Sequence, residues 1–114
     1  MKQIKAVARF TIRKNKLNEF KKHAQEMINA VRENEPGAID YDWYLDELKM
    51  QCIVIETYAD SKAVMAHLAN VGEKLQKMSD YGDLSVEVFG DPDEELSKVI
   101  LNMGAPVYPY FSGL

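Results

Sequence analysis

The chain has 114 residues, 46% hydrophobic and 28% charged, with a formal charge of −4. That length is enough for one domain with its own core, without disulfides or metal. The mildly acidic balance, with no block of lysine and arginine, argues against nucleic acid or an anionic membrane as partner, because phosphate contact needs a cationic stripe.

Residues 1–114 are expected to form a single domain, with 91–114 supplying a C-terminal helix and an extended tail. Cys52 is the only cysteine, so no internal disulfide is possible. It sits in the apolar run Cys52-Ile53-Val54-Ile55 and reads as a small buried hydrophobe. The start, MKQIKAVARF, is too short and too interrupted by charge for a signal peptide. No segment approaches the ~20 apolar residues of a membrane span. A cytoplasmic protein is the expectation.

From the N-terminus, Ile4, Ala6, Ala8, Phe10 and Ile12 alternate with Lys5, Val7, Arg9 and Thr11, which predicts a strand with one strongly apolar side. From Lys16 the apolar residues shift to helical spacing, with Leu17, Phe20, Ala24, Met27, Ile28 and Val31 on one stripe. His23 lies at the edge of that stripe and is expected half-exposed. Asn34-Glu35-Pro36-Gly37 stops the helix. Pro36 presets φ for the second turn position and Gly37 tolerates a positive φ at the third, so a type II turn is expected.

Ala38 to Asp46 reads as a second strand, with Tyr41 and Trp43 on one face and Asp40, Asp42 and Tyr44 on the other. The short connection Glu47–Met50 leads to a third strand, Gln51 to Tyr58, and the pair should form an antiparallel hairpin. Asp60 or Ser61 can cap the next helix, whose inner side carries Ala63, Val64, His67, Leu68 and Val71. Gly72 interrupts the pattern and predicts a kink or a second helical piece. Leu84 to Phe89 is a fourth strand. In Asp91-Pro92-Asp93-Glu94, Asp91 is placed to cap a last helix, Pro92 to begin it and Glu94 to close a capping box.

The order strand, helix, strand, strand, helix, strand is the ferredoxin-like split βαβ arrangement, an α+β fold with a four-stranded antiparallel sheet and helices on one face. Val7, Ile53, Ile55 and either Val86 or Phe89 are left for the other face. An apolar open face invites a partner, and two sheets packed face to face would make a homodimer.

Several familiar sites are missing from the sequence. There is no glycine-rich phosphate loop and no G-x-S-x-G. Cys52, His23 and His67 do not form a zinc spacing. Asp40, Asp42 and Asp46 share a strand face without the rest of a calcium loop, and read as a solvated rim. No metal site is expected. What remains is a group of aromatic and polar residues, Tyr41, Trp43, Tyr44, Glu56, Tyr58 and His67. Glu56, a carboxylate beside Ile and Val, is expensive to bury unless it is paired. It therefore requires a partner or a cavity, whereas Tyr41 and Trp43 taken singly fit a filled core equally well.

Glu35-Pro-Gly-Ala-Ile-Asp-Tyr-Asp-Trp-Tyr, followed by Val54-Ile-Glu-Thr-Tyr-Ala-Asp-Ser-Lys-Ala-Val-Met-Ala-His-Leu, resembles the antibiotic biosynthesis monooxygenase family. The shared features are a Pro-Gly turn (Pro36-Gly37), a strand tyrosine (Tyr41), a glutamate with an aromatic two residues on (Glu56, Tyr58) and a helical Ala66-His67. They cover most of residues 4–90, and the last helix and tail are similar to those of some bacterial members. The resemblance implies a dimeric α+β barrel of two ferredoxin-like protomers. It also implies a monooxygenase that oxidises a quinol- or anthrone-like aromatic with O2, using neither metal nor flavin, by deprotonating a phenol in a dry aromatic cavity. On that reading His67 is the proton acceptor or orienter, Tyr41 and Trp43 the wall, and Glu56 and Tyr58 the polar positioning groups. Arg9 stabilises an anion if it faces the cavity. Tyr58 stands where the family usually has Trp, and Ile4–Ile12 lacks the asparagine of the haem-degrading branch, which disfavours haem. Two other functions remain open: a dimeric binder of a small aromatic or lipophilic molecule without catalysis, and a proton-transfer enzyme.

Overall fold

The structure, a computed structural model, describes residues 2–114. The chain runs β1 (Ile4–Ile12), α1 (Leu17–Asn34), β2 (Ala38–Asp46), β3 (Gln51–Tyr58), α2 (Ser61–Lys77), a 3₁₀ turn at Met78–Asp80, β4 (Gly82–Phe89), α3 (Glu94–Met103) and β5 (Val107–Tyr108). The sheet order is β2-β3-β1-β4-β5, antiparallel except for the β4–β5 pair. This is the ferredoxin-like α+β fold expected, with one addition: two residues of the tail pair in parallel with Val88 and Phe89, making a fifth strand. Within one chain the sheet stays open, with β2 and β5 at its edges.

The strand register assigns each residue to a face. Opposite β1, Ala6 meets Glu56 and Val88, Ala8 meets Val54 and Val86, and Phe10 meets Cys52 and Leu84. Those residues lie on the helix side, together with Tyr41 and Trp43, which stand beside Glu56 and Val54. The main core forms there, where Phe20, Ala24, Met27 and Val31 of α1 and Val71 of α2 close over Ala8, Phe10, Ile12 and Val54. Phe10 stacks on Trp43 with ring centroids 5.7 Å apart and meets Phe20 edge-on at 5.3 Å. A smaller cluster seats α3 through Leu96 and Ile100 on Ile4 and Val88. Val86 is therefore a helix-side residue, and Phe89, paired with Lys5, belongs to the opposite face.

Several local expectations change in detail. Gly37 does not take a positive φ; among the described glycines only Gly90 and Gly104 do. The turn is closed by the Ala38 N–H donating to the Glu35 carbonyl at 3.2 Å. Gly37 is needed for space instead: a Cβ there would lie 2.7 Å from Ala63 Cβ. The helix α2 runs through Gly72 without interruption. Asp60 is its cap, accepting from Ala63 N–H at 2.9 Å. Asp93, not Asp91, caps α3, accepting from Leu96 N–H at 2.9 Å. His23 is buried, not half-exposed, because its Nε2–H donates to the Lys74 carbonyl at 2.7 Å and ties α1 to the end of α2.

Candidate functional site

Of the residues expected as a group, Tyr41, Trp43, Glu56, Tyr58 and His67 converge, whereas Tyr44 alternates with Tyr41 and Trp43 on the strand and falls, exposed, on the open face. The strands β2 and β3 bring Tyr41 and Glu56 side by side, and Tyr58 follows Glu56 on the same face. His67 enters from the middle of α2, with its ring 5.2 Å from Tyr41 and 5.1 Å from Tyr58. Glu56, Tyr58 and His67 are all buried.

Glu35 completes the group and was not visible as a site residue in the sequence. The Pro36-Gly37 turn, pressed against Ala63, points the Glu35 side chain under α2. His67 Nδ1 lies 2.9 Å and 3.1 Å from the two Glu35 oxygens. A carboxylate only accepts, so Nδ1 carries the hydrogen and donates it, and Nε2 is left with its lone pair. Asn70, one turn after His67, donates to Glu35 Oε2 at 2.8 Å and to the Ala30 carbonyl at 3.0 Å. The carboxylate is thus held from two sides, and its buried charge is met by donors as burial requires. The signal available in the sequence was His67 and Asn70 at helical i, i+3 spacing, which puts both on one face.

On the other side of the ring, His67 Nε2 is 3.7 Å from Glu56 Oε1. The same oxygen accepts from the Tyr58 hydroxyl. Burial pushes the Glu56 carboxyl up to about 7; the bond from Tyr58 restrains the rise and the nearby Glu35 adds to it. Glu56 therefore exchanges its proton near neutrality. Burial lowers His67 from its ordinary value, against the upward pull of the Glu35 carboxylate. The neutral, accepting imidazole is favoured. Burial, with the Glu56 charge adding to it, raises both Tyr41 and Tyr58, so both remain phenols.

This polar group forms one corner of a cavity of about 70 Å³ between the sheet and α2 and α3. Away from that corner every lining side chain is apolar, apart from the indole of Trp43. The floor is Ala6 and Ala8, whose small side chains leave the space. Trp43 forms part of the wall. Its buried Nε1–H lies towards the Tyr41 hydroxyl but makes no bond of full hydrogen-bonding geometry, alone in this among the described side chains. A buried donor without a full partner is uncommon and is available to an acceptor in the cavity.

Arg9 is not brought to this site. It alternates with Ala8 and Phe10, so it falls on the open face, where it pairs with Glu87 at 3.6 Å. Cys52 is buried, and burial pushes its thiol up to about 11, which leaves it unreactive at neutral pH. No group of three or more His, Cys, Asp and Glu side chains is placed to hold a metal among the described residues.

Residues 3–74 match the family model described as antibiotic biosynthesis monooxygenase. By sequence, no curated protein matches the chain. Among solved structures, the chain is similar to MupZ from Pseudomonas fluorescens, with a TM-score of 0.85 and 24% identity over 100% of this chain and 94% of that one. It is also similar to Rv0793 from Mycobacterium tuberculosis (TM-score 0.70, 21% identity, 81% of this chain and 97% of that one). A third is SnoaB, a cofactor-independent oxygenase from Streptomyces nogalater (TM-score 0.67, 17% identity, 82% and 96%). At these identities the likeness concerns the fold.

Proposed function

The chain belongs to the antibiotic biosynthesis monooxygenase family, and on that premise we propose that it oxidises an electron-rich phenol or quinol with O2 in the cavity beside His67. The observation that carries the reading is the Glu35–His67 pair: a buried carboxylate fixes the ring so that its basic Nε2 faces Glu56 at the cavity's polar corner. The oxygenase activity of SnoaB on a similar fold supports it.

The substrate hydroxyl takes the position beside His67 Nε2 and gives up its proton there. The apolar walls deny the resulting anion the hydration that would quench its electron density. Its electron-rich ring carbon then reduces O2 directly, a carbon–oxygen bond forms at that carbon, and the oxygen–oxygen bond breaks as water leaves. For a phenol with a free para position, two hydrogens are lost and one oxygen atom gained. The second oxygen atom departs as water, and the substrate supplies all four electrons that O2 takes up. Glu56, exchanging its proton near pH 7, returns a proton to the departing oxygen. Tyr58 holds Glu56 in place, and the Nε1–H of Trp43, only weakly engaged by Tyr41, can turn to the substrate's oxygen.

The open sheet face supports a homodimer built sheet to sheet, closing two half-barrels into one barrel. Val7, Ile53, Ile55, Tyr44 and Phe89 share that face, and Ile55 and Tyr44 are 45% and 57% exposed.

The test is oxygen consumption with a panel of naphthols and alkylphenols whose para carbon is free, against the spontaneous rate. Enzyme-dependent uptake that yields the quinone is the result expected. One observation favours a second reading: His67, whose imidazole burial keeps neutral, and Glu56, whose carboxyl burial pushes up to about 7, stand 3.7 Å apart, a base beside an acid, which suits a proton-transfer reaction. Turnover that persists without O2 would establish that reading. Saturable binding with no turnover under either atmosphere would instead mark a binding protein.

A further inference from the structure

The cavity's lining is divided by chemistry, and the division describes the ligand. Tyr41, Glu56, Tyr58 and His67 gather over β2 and β3, beside Trp43. At the other end, over β4 and beneath α3, the lining is branched and aliphatic: Val86, Val88, Leu96 and Ile100. The path between them crosses Ala6 and Ala8. It ends between Leu84 and Met103, which are 38% and 46% exposed and open towards the surface at the C-terminal end of α3. From β2 to β4 is three strand spacings, about 14 Å. The volume, about 70 Å³, is far below the ~300 Å³ of a pocket for a drug-sized ligand and below the ~150 Å³ of a cavity that holds benzene, so a ligand enters only as the flexible lining side chains move apart, and a slim one asks least of them. A small cavity that is polar at one end and aliphatic at the other suits a single ring with a slim chain better than a fused polycyclic slab.

We propose that the substrate is an amphiphile, a single hydroxylated ring carrying an alkyl chain, with the ring hydroxyl at His67 and the chain running over Ala6 and Ala8 under α3 to the mouth between Leu84 and Met103. The inference rests on the proposed reaction only in placing the hydroxyl end at His67. The chain site itself is read from binding alone.

The probe is a series of meta-alkylphenols from methyl to octyl, which leave the para carbon free. Binding is measured by calorimetry without O2. Each methylene that enters the cavity should tighten binding about fourfold, from the transfer free energy of a buried CH2. The gain should stop once the chain passes the mouth and enters water. Two variants locate the chain: Ile100→Phe fills the aliphatic end, and the half-exposed Met103→Trp narrows the mouth with less demand on the core. Either should move the end of the gain to shorter chains. Affinity that is flat along the series would overturn the proposal, as would a chain-length gain unchanged in a folded Met103→Trp or tighter binding of a tricyclic anthrone. Chain-length-dependent binding without O2 uptake would keep the chain site and reject the oxygenase reading. Uptake with short phenols and a flat series would do the reverse.

Discussion

Replacing Glu56 with glutamine removes one titration while keeping an acceptor for the Tyr58 hydroxyl. In the folded protein the Glu56 carboxyl keeps its proton until about pH 7, whereas the unfolded chain releases it near 4.5. Between those values the native state binds the extra proton, so stability falls as pH rises through the window and is level above it. The rise from 4.5 to about 7, at about 1.4 kcal/mol for each tenfold, comes to about 3 kcal/mol. His67 acts in the opposite sense: its folded pKa is lowered, so stability is lost as pH falls below 6.5. Both proteins share that contribution, and it cancels to first order in their difference. Urea unfolding of wild type and Glu56→Gln, at one fixed protomer concentration, measures that difference. Relative to wild type, the variant should gain about 3 kcal/mol between about pH 4.5 and pH 7.5. A difference that stays flat, or that runs the other way, would show that burial does not raise Glu56 and that it is no acid at neutral pH.

Other outcomes follow from the same geometry. Glu35→Gln leaves the shape of the site but no longer fixes which His67 nitrogen is free; kcat should fall ~10²-fold or more, with KM little changed, in steady-state kinetics. Ala8→Leu fills the cavity floor, so ligand binding by calorimetry should be lost at a stability cost of about 1–3 kcal/mol. Ile55→Arg puts a charge in the middle of the open face. Light scattering should show a dimer for wild type and, at the same concentration, a monomer for the variant, with the far-UV circular dichroism spectrum unchanged.

The sequence exposed the strands because each alternates cleanly, and the face of each residue followed from the period of two. The same parity already separated Arg9 from Ala8 and Phe10. Its Glu87 partner on β4 lies on the same open face. The Glu56–Tyr58–His67 group was legible because a carboxylate inside an apolar strand needs a partner. Glu35 was not, because it contacts His67 across 32 positions of sequence and lay in a stretch that turn chemistry alone explained. Gly37 was read for its φ, but the close approach of Ala63 is a tertiary fact with no local signature. The fifth strand escaped because two residues are too few for any period to show. Asp91 and Asp93 offer the same capping side chain, and only the start of α3, two residues later than Pro92 suggests, distinguishes them.

The most direct measurement is the oxygen-uptake rate of His67→Ala beside wild type, with a meta-alkylphenol that wild type consumes and with thermal unfolding recorded for both. Removal of the base should lower the rate ~10²–10⁴-fold in a protein that still folds. A folded variant that consumes O2 as fast as wild type would mean that His67 takes no proton, and the site would have to be assigned elsewhere.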